Sequence, residues 1–163
     1  MVTSPSDLPE GWLSTHDIAE LRRLGAGKTV LELGAYQGRS TVVLSEVAKY
    51  VVSVDRHQGV PVGHEIDSLP PYLDAIRPLR NVAIVVANFQ DFVPLLDDGF
   101  DLVFIDGQHE YVEVIRDITL ALLVEPAVIA FHDYDFSDVK RAATEVFGDP
   151  NNVHGSVASF RRF

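Results

Sequence analysis

Two sets of side chains have the types and spacing to do chemistry. The first lies in Val30-Leu31-Glu32-Leu33-Gly34-Ala35-Tyr36-Gln37-Gly38-Arg39-Ser40, an apolar strand carrying an acid, then a glycine turn, then a helix start. A further acid, Asp55, closes the next apolar run at residues 50–54. Such a strand–turn–helix offers backbone amides, and a carboxylate on the neighbouring strand tip can accept both hydroxyls of a ribose. Gly34 and Gly38 let the backbone approach a ligand closely. The pattern predicts a nucleoside-bearing cofactor; its alternative is a plain tight turn with the acids solvated at strand tips. A dinucleotide needs G-x-G-x-x-G, and counting from Gly34 this chain has Tyr36 and Arg39 in the later glycine places. That favours a cofactor without pyrophosphate, and Glu32 suits a ligand with a cationic end.

The second set is Asp106, His109, His132 and Asp133. Its oxygen donors suit a divalent cation such as magnesium, and a histidine ligand tilts the preference toward manganese or zinc. Asp106, His132 and Asp133 are the candidate ligands. The alternative is that His132 and Asp133 hold a strand-end turn through hydrogen bonds.

Both sets need a scaffold that brings distant segments together. Apolar runs at residues 28–33, 50–54, 81–87, 100–105 and 127–131 read as five strands. Helices are expected from Ser14 or Thr15 to residue 24, over 39–49, 71–77, 91–96 and 111–123, and from Ser137 or Asp138 to residue 147. In the 111–123 helix the inward stripe is expected at Val112, Ile115, Ile118 and Leu122. Residues 56–69, with Gly59, Pro61 and Gly63, read as a long loop, and 157–163 as a closing strand with a short partner near Val153. Near-continuous apolar strands alternating with helices predict an α/β fold: one doubly wound, mostly parallel sheet with helices on both faces and a C-terminal antiparallel strand. Ligands then sit beyond the carboxyl ends of the strands, where Asp55, Asn88, Asp106, His132 and Asp133 all fall.

At 163 residues the chain is expected to be one domain, an N-terminal helical segment (1–27) preceding a Rossmann-like core (28–163). With no cysteine, thiolate nucleophiles, thiolate metal sites and disulfides are ruled out. A net charge of -11 with dispersed Lys and Arg argues against nucleic acid as a partner. No apolar run is long enough to cross a bilayer, and residues 1–11 lack a basic-then-apolar leader pattern; no membrane association and a cytoplasmic location are expected. His57 and His64 read as solvated loop residues, and Trp12, Tyr36, Tyr72 and Tyr134 as pocket walls or ordinary packing.

Taken with Phe104-Ile105-Asp106-Gly107-Gln108-His109-Glu110-Tyr111 and Ile129-Ala130-Phe131-His132-Asp133-Tyr134, the glycine turn resembles the class I S-adenosylmethionine-dependent methyltransferases. Within them it looks like the small O-methyltransferase-like branch with VLELGxxxGxS and FIDGxHxY signatures, over residues 12 to the C-terminus. The resemblance implies S-adenosyl-L-methionine as cofactor, with Glu32, Gly34, Ala35, Tyr36 and Gly38 along its methionine part. It implies Asp55 at the ribose, Arg56 near the adenine, Asn88 and Phe89 at the adenine edge and face, and Asp106 beneath the methionine and sulfonium. Related macrolide-sugar O-methyltransferases bind a metal through an acid matching Asp106 and an acidic pair at strand five, where this chain has His132-Asp133. The same group implies His109 as general base, a role its near-neutral intrinsic pKa allows.

The implied reaction is O-methylation of a small-molecule acceptor, with Asp106 and His109 at the reacting end, Mg or Mn as a possible second cofactor, and a homo-oligomer closing the short pocket. A non-catalytic S-adenosylmethionine-binding module or partner subunit, a nicotinamide oxidoreductase and a metal-dependent hydrolase are the rivals. The acceptor itself is not legible.

Overall fold

The computed structural model describes residues 3–58, 67–97 and 99–161. Helix α1 (Thr15–Gly25) begins with a reciprocal cap: Ser14 Oγ accepts from the Asp17 amide, and Asp17 accepts from the Ser14 amide. Then follow β1 (Thr29–Leu33), α2 (Arg39–Ser45), β2 (Tyr50–Asp55), α3 (Leu69–Ile76), β3 (Val82–Val86) and the single turn α4 (Phe89–Phe92). The chain continues through β4 (Leu102–Ile105), α5 (Tyr111–Leu123), β5 (Val128–Phe131), α6 (Ser137–Phe147) and the hairpin β6 (Asn152–His154) and β7 (Val157–Arg161). Gly59, Pro61, Gly63 and His64 of the expected long loop, and residues 162–163 of the closing strand, lie outside the described residues.

The seven strands form one sheet in the order β3-β2-β1-β4-β5-β7-β6. Strands β1 to β5 run parallel, and β7 is antiparallel to β5 and β6. Strand side chains alternate between two cores. Val30, Leu102 and Phe104 pack with Ile18, Leu21 and Val43 of α1 and α2, whereas Leu31, Val103 and Ile105 pack with Ile118, Ala121 and Ala143 of α5 and α6. Phe104 and Phe131 are fully enclosed, and burying such a side chain contributes about 1.5–3 kcal/mol. Leu33 pairs with both Val54 and Ile105, and Ile105 with Phe131. The residues that follow these pairs, Gly34, Asp55, Asp106 and His132, therefore stand level along the carboxyl edge. The order reverses between β1 and β4, which puts a crevice at that point.

Packing corrects several expectations. The helix expected over 39–49 stops at Ser45, because the Asn81 side-chain amide donates to the Ser45 and Ala48 carbonyls at 3.0 and 3.1 Å and Gly27 donates to Val47. Those donors satisfy the carbonyls left at a helix end and turn the chain into β2. Strand β3 is an edge and is not covered on both faces: Ile84 and Val86 are 41% and 53% exposed. On α5 Ile118 is inward and Ile115 and Leu122 pack at the margin of the core as expected, with Val114 and Ala121 completing the stripe, but Val112 points outward. Val114 stands two positions beyond Val112, about 200° around the helix.

Candidate active site

A groove of about 1020 Å³ opens along the carboxyl edge, from Trp12 and Tyr36 across the tips of β1, β2 and β4 to α4 and α5. Its floor is set by one close approach. Gly34, at φ 98°, leaves no room for a side chain: a Cβ there would stand 2.1 Å from the Asp106 carbonyl oxygen. The tips of β1 and β4 therefore meet backbone to backbone. Tyr36, His57 and Asp133, all on the groove, have positive φ of 47°, 53° and 52°. Such conformations cost free energy and persist where surrounding contacts impose them, which is common at functional sites. The ring of Tyr36 packs on Trp12, centroids 4.9 Å apart, at the groove mouth.

Asp55 holds this turn as well as facing the groove. Its Oδ2 accepts from the Ala35 and Tyr36 amides at 2.8 and 2.9 Å, and its Oδ1 from the His57 amide at 2.7 Å. Those bonds take most of the roughly four acceptor positions of a carboxylate. Glu32 is elsewhere: it is wholly buried behind the turn and does not line the groove. Its Oε2 accepts from Thr41 Oγ1 and Ser53 Oγ, both at 2.6 Å, while Oε1 is buried without a partner. Burial pushes its pKa up to about 7 against the pull of the hydroxyls of Ser40, Ser53 and Thr41. Gly38 caps the start of α2 against the ring of Tyr72 and is also off the groove lining. Ala35, Arg56, Asn88 and Phe89 do line it. Tyr72 and Tyr134 are buried packing residues.

Past β4 and β5 the second set closes into a network. His132, 5% exposed, points Nδ1 at Asp106 Oδ1 (3.1 Å) and Asp133 Oδ2 (3.2 Å). Burial disfavours its charge, but the two carboxylates outweigh burial and raise its pKa to about 10, so it is an imidazolium. His109 Nε2 lies 2.9 Å from the same Asp133 oxygen, and its ring packs on Phe136 at 4.7 Å. The Asp133 contact raises the His109 pKa more than burial lowers it. Asp133 is held well below the usual carboxylate range: burial opposes this, and His109 and His132 prevail.

The donors that converge on one point are Asp106, His109 and Asp133, with ligand atoms within 4.8 Å of one another. His132, expected among the ligands, instead turns its Nδ1 into both carboxylates. Its positive charge offsets part of the negative charge of the two acids from behind.

Residues 31–134 match the family described as Methyltransferase domain. The chain belongs to that family. No curated protein matches it. Among solved structures, it is similar to cofactor-bound Rv0187 from MTB (21% identity, TM-score 0.69), covering 96% of this chain and 84% of that one. It is likewise similar to the O-methyltransferase TomG from Streptomyces achromogenes, involved in tomaymycin synthesis and solved with S-adenosylmethionine (18%, TM-score 0.69, 97% and 85%). The O-methyltransferase from Bacillus cereus, solved with S-adenosylhomocysteine, follows (18%, TM-score 0.63, 96% and 86%). At these identities the likeness is one of fold.

Two residues of this methyltransferase domain escaped sequence reasoning. Asp17 does more than cap α1: its Oδ1 accepts from the Ser156 amide and hydroxyl, and its Oδ2 lies 3.7 Å from His132 Nε2. Nothing in sequence spacing joins residues 17, 132 and 156. Asp117 had a signal that the expected stripe obscured, an acid among the inward residues Val114, Ile118 and Ala121. It too lines the groove. Among the described residues, no helix is long and apolar enough to cross a membrane.

Proposed function

We propose that this methyltransferase domain binds S-adenosylmethionine across the tips of β1, β2 and β4 and transfers its methyl group to the oxygen of a small-molecule acceptor. The observation carrying the reading is the level alignment of the Gly34 turn, Asp55 and Asp106 at the sheet's switch point, in a chain whose family is that of methyltransferases. The cradle fits the cofactor: the groove volume is at the upper end for small-molecule sites, about 300–1,000 Å³. Asp55, Asp106, Glu110, Glu113 and Asp133 give the walls an acidic balance that suits a sulfonium and an ammonium group.

When bound, S-adenosylmethionine supplies an electrophilic methyl group. Asp55 orients the ribose end, and Asp106 faces the cationic centre. The Gly34 turn fixes the depth of the ligand, and Trp12 with Tyr36 shields the mouth from water. Asp133 holds the Nε2 proton of His109, which leaves Nδ1 to take the acceptor's hydroxyl proton. His132 keeps Asp106 and Asp133 in place through their shared contacts. No step needs a metal.

The test is label transfer from methyl-deuterated S-adenosylmethionine to a panel of phenols, sugars and aliphatic alcohols, read by mass spectrometry. Labelled ether from at least one hydroxyl acceptor is expected. Label on nitrogen or carbon alone would refute the oxygen assignment, and cofactor binding without transfer to any acceptor would make the domain a binding module.

A further inference from the structure

Asp117 has an unexplained carboxyl. It sits two turns into α5, 5% exposed, and what exposure it keeps is on the groove. No hydrogen bond to either of its oxygens is made by the described residues, and the carboxyl keeps contact with the groove, so a donor on a bound ligand can reach it. The neighbouring cation does not compensate, because Arg116 is paired with Glu113 on the preceding turn. Burial, with Glu113 adding repulsion and Arg116 only partly offsetting it, pushes the Asp117 pKa up to about 7.

The surroundings say what reaches it. Gly107 lies between Asp117 and Phe89: a Cβ there would stand 2.8 Å from Asp117 Oδ2 and 3.2 Å from the Phe89 ring. A glycine at this position lets Asp117 and the Phe89 ring pack against its Cα, and all three line the groove, so an acceptor stands there beside an aromatic face. The carboxamide of Asn88, at the same end of the groove, donates one of its two N–H groups to Asp91 Oδ2 at 2.9 Å. A flat heterocycle lying by Phe89 with an amino group on its edge would satisfy Asp117.

Resting on the proposed cofactor, we infer that Asp117 is the adenine-reading residue, its carboxyl accepting a hydrogen bond from the 6-amino group of the S-adenosyl ligand. Nothing in the glycine turn or in the strand-tip acids supplies that selectivity.

The experiment compares S-adenosylhomocysteine with its analogue carrying hydrogen in place of the 6-amino group, by titration calorimetry on the full chain, with thermal melting alongside. At a pH well above the Asp117 value of about 7, where the carboxylate is charged, the wild type should prefer the amino compound by about tenfold or more, the worth of one hydrogen bond to a charged group. Asp117→Leu should bring that ratio near one by losing affinity only for the amino compound, without a lower melting temperature, since a buried unpaired acid is removed. Asp117→Asn keeps an acceptor oxygen and should keep the preference. Equal wild-type affinities, or an unchanged ratio in Asp117→Leu, would overturn the assignment while leaving the cofactor reading intact. A fall in affinity for both compounds together with a lower melting temperature would make Asp117 a brace for the Gly107 loop. Failure of the wild type to bind either compound would overturn the cofactor reading and this inference with it.

Discussion

His109 and Asp133 make the sharpest residue-scale statement. The base must be neutral to accept a proton, and Asp133 stabilises its charged form, so turnover should rise with pH through a midpoint above histidine's usual value. Asp133→Asn removes that stabilisation and should move the rising limb to lower pH; asparagine tolerates the positive φ at this position. An unmoved limb in a pH–rate profile would remove His109 from the proton path. His109→Ala should lower turnover about a hundredfold or more while cofactor affinity stays nearly constant, a kcat effect that titration calorimetry separates from binding. Because His132 supplies the positive charge at the cluster, dialysis against a chelator should leave transfer unchanged, and a loss restored by manganese would convert Asp106, His109 and Asp133 into a metal centre. The residue types were legible from the chain, but their partners were not. His132 as an internal cation depends on the 3.1 and 3.2 Å contacts that only the alignment of β4 with β5 creates.

Elements were the most legible level, and their failures have local causes. Strand tips and glycine turns follow from apolar runs and punctuating residues, so β1, β2, β4 and β5 lie close to their expected ranges. The end of α2 was hidden because it is set by Asn81, which reaches back from the start of β3 to cap it. On α5 only Val112 of the expected stripe was misplaced, because the most buried face runs through Val114, Asp117, Ile118 and Ala121, where an acid stands among the apolar residues. At this scale the Gly34 turn is the critical joint. Gly34→Ala must place a methyl group 2.1 Å from the Asp106 carbonyl and adopt φ 98°. It should cost more than about 2 kcal/mol and pull the β1 and β4 tips apart. Chemical denaturation checks this, and a midpoint equal to wild type would mean that the two tips are not in backbone contact.

For the whole molecule, two buried acids set an unusual pH dependence of stability. Glu32 and Asp117 have pKa values raised to about 7 from the model-compound values of 4.5 and 3.8. The folded state therefore holds protons that the unfolded chain releases. Their contribution is full below the unfolded values and is lost as pH rises through about 7. Melting temperature should fall from mildly acidic to alkaline pH, and Glu32→Gln should flatten that fall; a slope identical to wild type would mean Glu32 is not protonated in the fold. The mostly parallel sheet and the ligand edge beyond its strand tips were readable from alternating strands and helices, whereas the acceptor is not encoded in any motif. Whether the crevice holds an S-adenosyl ligand is decided by equilibrium dialysis with radiolabelled S-adenosylmethionine. Uptake of about one molecule per chain is expected, displaced by S-adenosylhomocysteine and weakened about tenfold or more by Asp55→Ala. Absence of retained label on folded wild-type protein would contradict that expectation.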